Sequence, residues 1–202
     1  MKTLLVVFVI GLCCIAIQSK AQQVELGLKA GLNVADLHSN AGNYDHSARA
    51  SAYAGGLAHI HLSQHIAFQP ELVYSSQGAK TTFGDASYTL RLNYINLPLL
   101  FQYMIGDGFR LQTGPQVGLL AAAKLKSGGT TQDVKGDYTT GDFSWIFGTS
   151  YLLPSGLGFD MRYNLGINNI DNTGSTSHLF NRVFQLGLFY QFRHPTVVIK
   201  EK

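Results

Sequence analysis

Between residues 157 and 168 every second position is apolar: Leu157, Phe159, Met161, Tyr163, Leu165 and Ile167 alternate with Gly158, Asp160, Arg162, Asn164, Gly166 and Asn168. Successive strand side chains point to opposite faces, so this stretch predicts a β-strand with one apolar face and one polar or glycine face. The same period runs through most of the chain. Strands are expected at 24–36, 51–62, 67–76, 90–104, 109–121, 142–153 and 157–168, with a last one ending near Phe192. Pro70 lacks a ladder donor and belongs at a strand start or a bulge. From Leu90 to Met104 the apolar parity changes, from Leu90, Leu92 and Tyr94 to Ile95, Leu97, Leu99, Phe101 and Tyr103, which predicts a β-bulge around 94–98.

The segments between these strands alternate in length. Polar loops at 37–50, 77–88, 125–141 and 169–181 are long, whereas the turns at 63–66, 106–108 and 154–156 are short. In an antiparallel meander, odd and even connections gather at opposite ends, so one rim is loopy and the other tight. Eight strands with this asymmetry predict an all-β, antiparallel up-and-down barrel of the kind that spans bacterial outer membranes. No internal repeat or second domain interrupts 22–192.

An eight-stranded barrel can also be a soluble, lipocalin-like carrier with an apolar pocket. The composition of the polar face separates the two. It is rich in glycine (Gly27, Gly31, Gly114, Gly118, Gly148, Gly158, Gly166, Gly187) rather than in Lys, Glu and Thr, and only 13% of the chain is charged. Small residues suit a crowded lumen better than a solvated exterior. The apolar face carries two aromatic bands. Phe68, Tyr103, Phe109, Phe159, Tyr190 and Phe192 fall toward the tight-turn end, and Tyr74, Phe143 and Trp145 toward the loop end, as interfacial girdles do. The apolar face is therefore expected to meet lipid. Glu25, Lys29, Glu71, Arg91, Arg110, Asp160 and Arg162 would then point inward as a charge network that plugs the barrel, with Arg110 and Arg162 facing Glu71 or Asp160.

The first 21 residues read as a signal peptide: Lys2, an apolar run from Leu4 to Ile17, and small residues at Ser19 and Ala21. Both cysteines, Cys13 and Cys14, lie within it, so the exported chain is expected to have no disulfide and to gain stability from a closed sheet. Two of the 15 Lys and Arg residues, Lys2 and Lys20, also lie there, leaving a nearly neutral balance against 12 acids. That gives no electrostatic case for nucleic acid, and outer-membrane lipid is the expected partner. Residues 193–202 form a short tail after Phe192, where such barrels commonly end on an aromatic residue.

Two clusters invite chemistry. His59, His61 and His65 could suggest a metal site, but no further ligand supports one, and no metal or cofactor is expected. His38, Asp45, His46 and Ser47 with Ser175, Ser177 and His178 could assemble a lipid hydrolase at the outer rim. No G-x-S-x-G elbow singles them out, and the expectation is a non-enzymatic barrel.

GLKAGLN at 27–33, YINLPLL at 94–100 and Gly114-Pro115 together resemble the PorT-like family of outer-membrane β-barrel proteins of Bacteroidetes-type Gram-negative bacteria. The resemblance covers nearly the whole mature chain. It implies an outer-membrane barrel; some members are tied to secretion or surface assembly, a role the resemblance alone does not carry to this chain.

Overall fold

A computed structural model describes residues 24–39, 46–83, 86–174 and 178–192. The signal peptide expected over 1–21 and the tail expected over 193–202 lie outside the described residues. The strands are β1 (Val24–Ser39), β2 (His46–His61), β3 (Ile66–Gln77), β4 (Ala79–Phe83), β5 (Ala86–Ile105), β6 (Phe109–Ser127), β7 (Thr130–Asp133), β8 (Gly141–Leu152), β9 (Leu157–Gly166) and β10 (Leu179–Gln191). Each pairs antiparallel with its neighbours, and β1 pairs with both β2 and β10, so the sheet closes on itself. β3 and β4 form one wall strand interrupted at Gly78 (φ 117°), since both pair with β2 on one side and β5 on the other. β7 is a short hairpin arm on β6. The wall of the barrel is thus eight-stranded and all-β.

The period-2 pattern dictates the wall. On β9 every apolar residue from Leu157 to Leu165 is exposed, and Gly158, Asp160, Arg162, Asn164 and Gly166 are buried. Among the described residues every strand of the eight-stranded wall has a neighbour on both sides, which is what a sheet in hydrocarbon needs, and only the β7 arm keeps a free edge. The pairing persists to the chain's last described residue, where the Phe192 amide donates to Leu26 O at 2.7 Å. Gly106 (φ 59°) and Gly156 (φ 88°) supply the left-handed backbone of two of the tight turns.

Three expectations need correction. The strands run further into the polar segments than expected: β1 reaches Ser39, β2 begins at His46, β5 begins at Ala86 and β6 reaches Ser127. There the hairpins stand clear of the apolar belt, so the hydrophobic alternation that marks the strand centres is gone. Pro70 lies inside β3, neither at its start nor at a register shift. The β2–β3 ladder simply lacks partners at that level, while Pro70 still faces Leu99 of β5. The register shift on β5 falls between Asn93 and Tyr94, and the extra residue belongs to β6, where Ala121 has no partner between Leu120 and Ala122.

β5 itself keeps one phase throughout: Leu92, Tyr94, Asn96, Leu100 and Gln102 are all buried. What changes is the medium. Below Tyr94 the outer face meets lipid and is apolar (Ile95, Leu97, Phe101, Tyr103), while above it the outer face meets water and carries Arg91. The inside inverts correspondingly. Leu37, Ala79, Leu92, Tyr94, Leu120, Ala123 and Ile170 form an apolar cluster at the loop end. The upper barrel is built like a soluble protein and the lower barrel inside out.

Candidate functional site

The lumen is filled in layers. At its centre Lys29, Glu71, Asp160 and Arg162 form a neutral quartet. Lys29 Nζ lies 3.1 Å from Glu71 Oε2 and 2.8 Å from Asp160 Oδ2. Arg162 grips Glu71 with both terminal nitrogens, Nη1 to Oε2 and Nη2 to Oε1, each at 2.8 Å, and reaches Asp160 Oδ2 at 3.0 Å. Bidentate guanidinium–carboxylate pairing is the strongest geometry available to these groups. Tyr53 Oη donates to Asp160 Oδ1 at 3.0 Å, and Gln69 Nε2 to Glu71 Oε1 at 2.7 Å. Glu71 is 2% exposed and Arg162 3%. Charges so deeply buried persist only when paired and hydrogen-bonded.

Below the quartet, Arg110 Nη1 donates to Gln191 Oε1 at 3.1 Å and lies 3.5 Å from His59 Nδ1. Gln191 in turn bonds Glu25, and Leu57, Leu152 and Phe189 close that end. Above the quartet lies an amide layer. Asn33 donates to Ser75 Oγ and Ser76 O at 2.9 and 2.7 Å, Gln185 donates to Asn33, and Asn181 bonds Gln77 and Asp142. The apolar cluster then covers the mouth. The β9–β10 connection supplies Ile170, whose amide donates to Leu179 O at 2.9 Å while its carbonyl accepts from Thr139 N at 2.9 Å. Tyr138 packs against this cluster, and burial, reinforced by the Asp137 and Asp171 carboxylates, pushes its phenol up to about 12.

The glycines of the polar face make the room. A Cβ at Gly187 would meet the Tyr53 hydroxyl and the Asp160 carboxylate, and one at Gly158 would meet the Phe189 ring. Gly158→Val is expected to destabilise the barrel by about 1–3 kcal/mol, the range for overpacking a filled interior. Urea unfolding in phospholipid vesicles measures it, with Gly141→Ala, where the nearest atom would be 3.7 Å away, as the near-neutral control.

Of the seven charged residues assigned inward from sequence, Lys29, Glu71, Arg110, Asp160 and Arg162 are buried and Glu25 is half-buried. Arg91 is not inside. It is exposed on the outer face, because the unbroken phase of β5 turns the odd positions outward. Arg110 sits a layer below the quartet, and Lys29 takes the place expected for it beside Arg162 and the two acids. The amide layer gave no sequence signal, since its residues lie in segments read as loop or as ordinary polar face, while in the apolar lid Leu92 and Tyr94 read as apolar but as part of the outer face.

On the outer wall, Tyr74, Tyr103, Phe109, Phe143, Trp145, Phe159, Tyr190 and Phe192 are exposed. Phe68 is half-buried beside Phe101, ring centroids 5.3 Å apart. Trp145 Nε1 donates to Thr113 Oγ1 at 2.9 Å. His59 and His61 meet edge to face at 4.6 Å, while His65 stacks on Tyr103, so the three do not converge. No group of three metal-ligating side chains occurs among the described residues. Of the loop Ser, His and Asp set, Asp45, Ser175 and Ser177 lie outside the described residues. His38 sits at the end of β1, in register with Phe180 of β10, and His178 packs against the same Phe180 ring.

The family model for the outer membrane protein β-barrel domain matches residues 18–172. No curated protein sequence matches this chain. Among solved structures, Neisserial surface protein A shares 13% identity at a TM-score of 0.55, covering 85% of this chain and 100% of its own. Ail, the attachment invasion locus protein of Yersinia pestis, shares 12% identity at a TM-score of 0.50, covering 84% of this chain and 99% of its own. At such identities the likeness shows the fold. The family match, together with the closed eight-stranded wall and its apolar exterior, makes this a bacterial outer-membrane protein, and the chain belongs to the outer membrane protein β-barrel domain family.

Proposed function

We propose that the protein is a non-enzymatic barrel with a plugged lumen, which anchors its long outer hairpins at the cell surface for envelope integrity, assembly or binding. The observation that carries this is the Lys29–Glu71–Arg162–Asp160 quartet, covered above by the amide layer and the Ile170 lid and below by the Arg110–Gln191 layer. A lumen crossed at its centre by a buried, ion-paired quartet offers no path for solutes, and water exchange through it would need the quartet to come apart. The surface left for partners is the rim, where β5 and β6 stand above the apolar belt. The affinity to the PorT-like branch rests on the segments 27–33, 94–100 and Gly114-Pro115.

Planar-bilayer recording tests the plug. The expected result is a baseline without steady open-channel current. Large, lasting conductance steps from the pure protein would contradict it. Mass spectrometry of lipid A from cells with and without the gene tests the non-enzymatic reading. An unchanged acylation pattern is expected, and loss of a specific acyl modification would favour a rim hydrolase instead.

A further inference from the structure

We propose that the outer face of the β4–β5–β6 rim binds the phosphate headgroup of an outer-leaflet glycolipid whose acyl chains lie against the apolar wall below. The register places the cations together. Thr89 of β5 is in register with Lys80 of β4 on one side and Lys126 of β6 on the other. Partners in register share a face and neighbouring strands lie about 4.8 Å apart, so the two lysines flank Thr89 at roughly 10 Å. Arg91 lies two positions along β5 on the same face.

These residues line one open recess of about 370 Å³, with Arg49, Ser87 and the Gly128-Gly129 turn. Arg49 is held there by Nη1 donating to Gln77 O at 2.7 Å and to Ser76 Oγ at 3.2 Å. Lys80, Arg91 and Lys126 are exposed, and among the described residues none has a carboxylate within ion-pair distance. The nearest described acid by register is Asp133 of β7, opposite Lys124, and Lys124 is itself a further cation beside Arg91, so cations outnumber acids on this face and their crowding costs stability unless an anion lies among them. The hydroxyls of Thr89 and Ser87 add donors suited to phosphate oxygens.

The position selects a lipid. Below Arg91 the same outer face turns apolar at Ile95, in register with Leu119 of β6. Four residues of strand span on the order of 13 Å, the step from headgroup to hydrocarbon. A free anion would gain nothing from that apolar wall. A lipid gains from both.

The proposal rests on the surface-barrel reading. Heat-modifiable gel mobility, which reports the folded barrel, keeps the two apart. Native mass spectrometry of the refolded mature chain in micelles measures binding of diphosphoryl lipid A, of the dephosphorylated lipid with the same acyl chains, and of inorganic phosphate. The expected result is tight binding of the diphosphoryl form alone. The triple variant K80Q/R91Q/K126Q should weaken it at least tenfold while keeping heat-modifiable mobility, and K135Q should leave it unchanged. Equal binding by the triple variant, equal binding of the dephosphorylated lipid, or inorganic phosphate binding as tightly as the lipid would each overturn the proposal. So would dextran sulfate displacing the lipid at lower concentration, which would indicate a soluble polyanion as the partner.

Discussion

Glu71→Ala is expected to lower the stability of the folded barrel by about 3–5 kcal/mol, the cost of removing one partner from a buried ion-pair network. Glu71 accepts from Lys29, Gln69 and both terminal nitrogens of Arg162. Its loss leaves Lys29 and Arg162 sharing Asp160 alone, a net positive charge in a space with little water. The same reasoning makes a second, less obvious prediction. Lys29→Met combined with Glu71→Gln removes one charge of each sign and keeps Arg162 on Asp160, so most of the lost stability should return. Urea titration followed by the fluorescence of the single tryptophan, in phospholipid vesicles, measures both. If Glu71→Ala alone were neutral, the quartet would be solvated, and the plug with it.

Leu186→Arg is expected to cost about 2–4 kcal/mol, the range for a cation on the lipid face of a membrane barrel near the bilayer midplane. Leu186 is 50% exposed and in register with Leu32 and Met161, beside the level of the central quartet. The size of this effect separates the two readings that alternation leaves open. On a soluble barrel a half-exposed leucine replaced by arginine changes stability by only about 0.5 kcal/mol or less. Thr131→Arg, exposed on the β7 arm above the belt, supplies the control and should be neutral. Equal effects at the two positions would mean that no lipid touches the wall at Leu186.

The strand centres and their facing were legible because the lipid belt enforces a strict apolar–polar alternation, as on β9. The pairing of Arg162 with a lumen acid followed from the rule that charges in a narrow lumen must be satisfied, whereas its reach to both Glu71 and Asp160 did not. Nor did the base that completes the quartet, because the axial level of a side chain depends on shear. The ladder ranks Arg110 with Asp160 through Ser150 and Lys29 with Gly158 through Phe189, yet Lys29 reaches Asp160 and Arg110 bonds Gln191, because tilted strands put ladder partners at different heights along the axis. The upper barrel was misread for a different reason. Leu92 and Tyr94 have the hydropathy of lipid-facing residues, yet they point inward, since above the belt the outside is water. A change of surroundings along one strand and a β-bulge leave the same trace in a sequence, and here both occur at one level, with the extra residue on the partner strand at Ala121.

The outward orientation of the apolar face is most directly tested by quenching the fluorescence of Trp145 in the refolded wild-type barrel. Trp145 is exposed on the outer wall, toward the loop end of β8. In vesicles of lipids brominated high on the acyl chain, its emission should be strongly quenched, and aqueous iodide should have little effect. Strong iodide quenching with no response to brominated lipid would place the indole in water and contradict a lipid-facing wall.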